Sequence, residues 1–184
     1  MGDDEEILNI KRVYNELYFY EDVTTESVLE LNTKLREMSK VHDALPIILY
    51  IQSNGGDLFA GLSAMDHIKS CRKPVYTVAD GICCSAATFM FLGGAKRFIK
   101  PHAHFLIHQI SADSDWVKFE DIKDEMNNLQ RLMDKVIGIY REFTNLPEKK
   151  LKRLMRHDIY MDADQCVKYD IAHEIFSKDT LFSF

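Results

Sequence analysis

The chain has 184 residues, enough for one domain with its own core, and its 46% hydrophobic and 28% charged content is that of an ordinary globular protein. Acidic residues outnumber Lys and Arg 29 to 23, and the net charge of −6 argues against nucleic acid as the main partner, while no apolar run approaches a membrane span. The opening Met1-Gly2-Asp3-Asp4-Glu5-Glu6 is unlike a signal peptide, and Cys71, Cys83, Cys84 and Cys166 show neither zinc spacing nor an evident disulfide pair, so a reducing, cytoplasmic setting is expected.

Residues 1–16 are charged and weakly patterned and read as a mobile arm, with a single domain over 17–184. Leu17-Tyr18-Phe19-Tyr20 is a short strand candidate. Val28, Leu31, Leu35 and Met38 fall on one helical face, and Ser27 with Glu30 has the spacing of a capping box. Pro46 to Ile51 is continuous and apolar, as in a strand covered on both faces, and it ends at Ser53-Asn54-Gly55-Gly56-Asp57. Leu58, Leu62, Met65 and Ile68 then mark a helix ending near Cys71.

The next strand, Val75 to Ala79, leads to Gly81-Ile82-Cys83-Cys84-Ser85-Ala86-Ala87 and a helix. Phe98-Ile99 and His104 to His108 are further strands, split by Pro101-His102. From Trp116 to about Thr144 apolar residues recur at helical spacing, and a helix of that length must outrun so small a domain and pack on another subunit. Pro147 starts a short basic helix; Asp158 to Asp162, a helix from Ala163 to Tyr169 and a strand from Ala172 to Phe176 close the chain. Alternating strands and helices predict an α/β fold with a largely parallel sheet.

Two glycine-bearing turns each follow a buried strand, and right-handed crossovers bring both to one edge of the sheet. Ser85 sits at a sharp strand-to-helix turn, where a nucleophile would sit, although such a serine is also a common small residue at a helix start. The backbone N–H groups of Gly56 and Ala86 could together hold an oxyanion. His108, at the end of an apolar strand, is the best candidate for a base, and Asp158 for the acid that orients it, though other acids are not excluded by sequence. His102, His104 and His108 share strand parity but lack accompanying carboxylate or cysteine ligands, and no metal is expected.

Ser53-Asn54-Gly55-Gly56 with Ala60-Gly61, Gly81-x-x-x-Ser85, Gly94-Ala95-Lys96-Arg97-Phe98, Ile107-His108-Gln109 and Asp158-Ile159-Tyr160-Met161 stand in the order and approximate spacing of the Clp protease proteolytic subunit, ClpP. The chain resembles that family from about Leu17 to Ile175. The resemblance implies a crotonase-like α/β spiral of βαβ units with a protruding handle helix at about 116–144. It implies Ser85 as nucleophile, His108 as general base, Asp158 as orienting acid, and Gly56 and Ala86 as oxyanion donors. The implied activity is that of a serine endopeptidase that degrades unfolded polypeptides or short peptides inside a barrel. Heptameric rings stacked as a tetradecamer and an AAA+ unfoldase of the ClpX, ClpA or ClpC type are the implied partners. No cofactor is implied, ATP entering only through that separate ATPase.

The chain departs from the family pattern at four places. Asn54 replaces the proline of Ser-Pro-Gly-Gly, and Cys83-Cys84-Ser85-Ala86-Ala87 replaces Ala-Ala-Ser-Met-Gly. Ile110 to Asp115 stands where a glycine-rich strand binds substrate and contacts the opposite ring, and Arg156-His157 where an acidic residue and an arginine couple ring contacts to activity. Two alternatives follow: a non-catalytic ring subunit assembling with an active homologue, and an acyl-CoA enzyme of the crotonase type using the Gly55-Gly56 turn.

Overall fold

The computed structural model describes residues 10–111, 118–177 and 180. Its strands are β1 (Ile10–Val13), β2 (Glu16–Phe19), β3 (Ile47–Ser53), β4 (Val75–Cys84), β5 (Lys96–Ile99), β6 (His104–Leu106), β7 (Tyr160–Met161) and β8 (Glu174–Ile175). Its helices are α1 (Thr25–Met38), α2 (Leu58–Ser70), α3 (Ala87–Leu92), α4 (Phe119–Phe143), α5 (Glu148–Arg156) and α6 (Ala163–Lys168). The sheet order β1-β2-β3-β4-β5-β8 is parallel except for the antiparallel β1–β2 hairpin.

Residues 10–13, expected within a mobile arm, instead form β1, with Ile10 paired to Phe19 and fully buried. With Ile10 and Val13 three apart and only Ile10 buried, the run has no period-2 alternation to reveal a strand, but the β2 edge supplies its partner groups. Helix α1 begins earlier than expected. The Thr24 hydroxyl accepts from the Ser27 N–H at 3.1 Å while Ser27 Oγ accepts from the Thr24 N–H at 2.9 Å, so the reciprocal cap is Thr24 with Ser27, not Ser27 with Glu30. The buried face of Val28, Leu31, Leu35 and Met38 is as expected.

Strand β3 explains its continuous apolar run by alternation. Ile47, Leu49 and Ile51 enter the main core beneath α1 and α2, while Ile48 and Tyr50 join Val78 and Phe98 in a smaller cluster on the other face. Tyr18, Tyr76 and Phe176 complete that second layer, with Tyr18 and Tyr50 stacked at 4.8 Å.

Strand β4 is longer than the expected Val75 to Ala79. It continues through Gly81, whose φ of +78° is the left-handed conformation glycine tolerates. Its first half pairs with β5 and its second half with β6, so the chain crosses from one set of strands to another before it reaches Ser85. Helix α4 carries buried side chains only at Val136 and Tyr140, near its C-terminal end, whereas Phe119 and Met126 are each 70% exposed. Trp116 and Val117, expected at its start, lie outside the described residues.

Candidate active site

The glycine turn after β3 is stitched down by its backbone. The Val23 N–H donates to the Gly55 carbonyl at 2.8 Å and the Asp57 N–H to the Val23 carbonyl at 2.8 Å, which leaves the Gly56 N–H between them without an acceptor among the described residues. Gly55 and Gly56 have φ of +101° and +146°, and Asp57 Oδ1 caps α2 by accepting the Ala60 N–H at 2.6 Å. The turn presses directly on the Ser85 bend: a Cβ on Gly55 would stand 2.5 Å from Ser85 Cβ, and one on Gly61 2.6 Å from the Ala86 carbonyl oxygen. The two glycine-bearing turns therefore face each other.

Ser85 has φ of +53°, a left-handed conformation that a serine holds only when its surroundings impose it. Its N–H donates to the Leu106 carbonyl at 3.0 Å, tying the bend to the end of β6. Ala86 caps α3, and its N–H has no acceptor among the described residues. Burial pushes the neighbouring Cys84 thiol up to about 11 and raises that of Cys83 well above its ordinary value, so neither is a thiolate rival to the serine.

Gly56, Ser85, Ala86 and His108 line one cleft of about 310 Å³, floored by Phe89, Leu129, Val136 and Tyr140. The cleft thus brings together a partly buried serine, a histidine and two N–H groups without acceptors among the described residues, above an apolar floor. Asp158 stands apart from its lining. The antiparallel pairing of β6 with β7 ends at Leu106 with Tyr160, and beyond it the Gln109 N–H donates to the Met155 carbonyl at 2.9 Å. The Asp158 side chain is exposed, and among the described residues no hydrogen bond joins it to His108, or His108 to Ser85. Of the three expected triad members, the fold brings Ser85 and His108 to the cleft and leaves Asp158 outside its lining, two residues before β7.

His104 Nδ1 lies 3.1 Å from the His102 carbonyl, and the His104 ring meets Tyr160 edge-on at 6.2 Å. Among the described residues no cluster of His, Cys, Asp or Glu has the composition to hold a metal. Ile110 and Ser111 line the cleft, while the rest of the Ile110 to Asp115 segment lies outside the described residues. Thr88 and Tyr140 bond beneath the nucleophile at 2.7 Å, a contact no local spacing announces because 52 residues separate them.

A left-handed serine at a strand-to-helix bend, pressed against a glycine turn at one edge of a mostly parallel sheet, defines the class of fold: a crotonase-like α/β frame. The family model for Clp protease matches residues 4–179, and the chain belongs to that family. It is 29% identical to ATP-dependent Clp protease proteolytic subunit 1 of Chlamydia caviae, over 98% of this chain and 92% of that protein. It is 32% identical to ATP-dependent Clp protease proteolytic subunit 2 of Treponema denticola, over 79% of this chain and 78% of that one. A solved ClpP1 variant from Listeria monocytogenes shares the fold with a TM-score of 0.80 at 23% identity, covering 91% of this chain and 94% of its own. No helix among the described residues is long and apolar enough to cross a membrane.

Proposed function

We propose that this chain, a Clp protease proteolytic subunit, cleaves peptide bonds as a serine endopeptidase through Ser85, His108 and Asp158. The observation that carries the reading is the convergence of the left-handed Ser85, the unbonded N–H groups of Gly56 and Ala86, and His108 on one cleft. His108 takes the Ser85 proton as Oγ bonds to the substrate carbonyl carbon, and the carbonyl oxygen becomes an oxyanion held by the two N–H groups. Collapse breaks the carbon–nitrogen bond, with His108 returning the proton to the leaving amine. Water then attacks the acyl ester, gives a proton to His108 and releases the acid while Ser85 is reprotonated. Asp158 turns toward His108 Nδ1 during this cycle; catalytic hydrogen bonds are often open in a free enzyme and tighten around substrate.

The assembly in this reading is a pair of seven-membered rings joined through α4, which leaves Phe119, Ile122 and Met126 exposed among the described residues. An AAA+ unfoldase supplies unfolded chains, and short peptides diffuse in. The work is cytoplasmic and uses no cofactor in this subunit.

The experiment is reaction of the purified, assembled protein with a fluorophosphonate probe beside Ser85→Ala. Labelling of the wild type alone supports the reading. The absence of labelling in an intact ring would make the chain a non-catalytic ring subunit, in keeping with the lack of a hydrogen bond between His108 and Asp158 among the described residues.

A further inference from the structure

Beneath the nucleophile lies a buried polar relay in an otherwise apolar floor. The Thr88 hydroxyl donates to the Ser85 carbonyl, which also accepts the Thr88 N–H at 3.0 Å. With the only hydroxyl proton of Thr88 committed there, the 2.7 Å contact between Thr88 Oγ1 and Tyr140 Oη must run from the tyrosine as donor. Burial pushes the Tyr140 phenol far above its ordinary range, so it keeps the proton it donates. Both side chains are essentially inaccessible, at 0% and 1% exposure, and Phe89 packs against the Tyr140 ring at 5.5 Å.

The geometry has a consequence for the oxyanion hole. A trans peptide is planar, with its C=O and N–H pointing in opposite directions. The Ser85 carbonyl and the Ala86 N–H belong to one such peptide, and the chain has no cis bond among the described residues. Whatever holds the Ser85 carbonyl inward toward Thr88 therefore aims the Ala86 N–H outward into the cleft. Tyr140 stands on α4, the helix whose other end is uncovered, while Thr88 stands on α3.

We infer that Thr88 and Tyr140 are positioning residues, which lock the Ser85–Ala86 peptide in the orientation that offers its N–H to the oxyanion and tie that orientation to the seat of α4. The inference deepens the serine-peptidase reading and rests on it. Neither residue touches substrate atoms in this scheme; Tyr140 acts through Thr88, and Thr88 through the peptide. A bond that acts only on a transition-state donor changes kcat and leaves KM alone.

The test is hydrolysis of a short fluorogenic peptide by assembled wild type, Thr88→Val, Thr88→Ser, Tyr140→Phe and the Thr88→Val/Tyr140→Phe double variant, with Ser85→Ala as the zero and thermal stability measured on all. Deleting an oxyanion donor outright costs on the order of a hundredfold or more in kcat, and loosening one costs less. Thr88→Val is expected to lose roughly tenfold to a hundredfold and Tyr140→Phe roughly threefold to tenfold in kcat, both at unchanged KM. Thr88→Ser restores the rate. The double variant is no slower than Thr88→Val although it is the more stable of the two, because it removes the hydroxyl that Thr88→Val leaves buried and unpaired.

A kcat within twofold of wild type in Thr88→Val, a loss confined to KM, or losses that multiply in the double variant would overturn the inference. Absence of turnover in wild type would instead sink the role given to Ser85. Crystal structures of wild type and Thr88→Val then decide the relay independently: a Ser85–Ala86 peptide turned over in the variant supports it, and an unmoved peptide contradicts it.

Discussion

Gly55 and Ser85 touch backbone to side chain: a methyl group on the glycine would lie 2.5 Å from Ser85 Cβ, 2.8 Å from the Cys84 carbonyl oxygen and 3.0 Å from the Ala86 nitrogen. None of these atoms is the free end of a flexible side chain, and Gly55 also holds φ at +101°. Gly55→Ala is expected to destabilise the subunit by about 2–4 kcal/mol and to displace the nucleophile, abolishing peptide hydrolysis even where the fold survives. Gly138 in α4 is the control, since a Cβ there meets nothing within 4 Å. Gly138→Ala should raise the stability of the subunit by up to about 1 kcal/mol, as expected of alanine for glycine inside a helix. Denaturant titration of both variants checks the contrast.

Arg97, part of the Gly94 to Phe98 motif, acts as a buried bracket. Its Nε donates to the Ile171 carbonyl at 2.8 Å and its Nη2 to the carbonyls of Asp170 at 2.9 Å and Phe143 at 3.2 Å, joining β5 to the end of α4 and to the closing segment. Burial pushes the guanidinium pKa down, opposed by the charge of Asp170. Arg97→Met leaves three carbonyls without their donor and is expected to cost about 3 kcal/mol. Arg97→Lys should recover less than half of this, because a single ammonium cannot reproduce the planar fork. Equilibrium unfolding of the two variants measures it.

His173 gives the fold an acid-side weakness. Its Nδ1 accepts the Arg97 N–H at 3.1 Å, which requires an unprotonated nitrogen, and desolvation followed by the Arg97 charge lowers its pKa. A histidine with a depressed folded pKa binds its proton more readily when unfolded. Its contribution is therefore complete above the unfolded value of about 6.5 and is lost as pH falls below that toward the folded value. The melting temperature should fall more steeply between about pH 7 and 5 in wild type than in His173→Asn, where a non-titrating side-chain oxygen can take the place of Nδ1. Equal slopes would contradict this assignment.

The free end of α4 predicts a separation between folding and assembly. Phe119, Ile122 and Met126 are 70%, 49% and 70% exposed and contribute nothing to the core of their own subunit. Met126→Glu should leave the unfolding free energy of the dissociated subunit within about 0.5 kcal/mol of wild type while it breaks the assembly proposed for α4. Sedimentation velocity reads the assembly size.

Much of this was legible in the sequence for physical reasons. The buried face of α1 and the extent of α2 follow from helical periodicity, the strand character of β3 from its short, continuous, β-branched apolar run, and Ser85 and His108 mark themselves as polar residues ending apolar strands. The start of α1 was misplaced because Ser27 with Glu30 imitates the cap that Thr24 makes with Ser27. Strand β1 has no local signal, because its identity lies in the partner edge of β2 rather than in its own four residues. The Thr88–Tyr140 bond depends on α4 crossing the nucleophile turn, a tertiary event with no local signature. Asp158 stands just before a short strand, a position that several other acids share in kind, so local sequence does not single it out and the resemblance carries the choice.

The most direct measurement of the central claim is turnover of a fluorogenic peptide by the assembled protein beside Ser85→Ala, with ring size verified on both. Loss of the nucleophile in a serine-protease triad costs on the order of a millionfold in kcat. Steady hydrolysis by wild type, reduced to background in Ser85→Ala rings of the same size, is the predicted result. Equal rates in the two, or silence in both with intact rings, would contradict it.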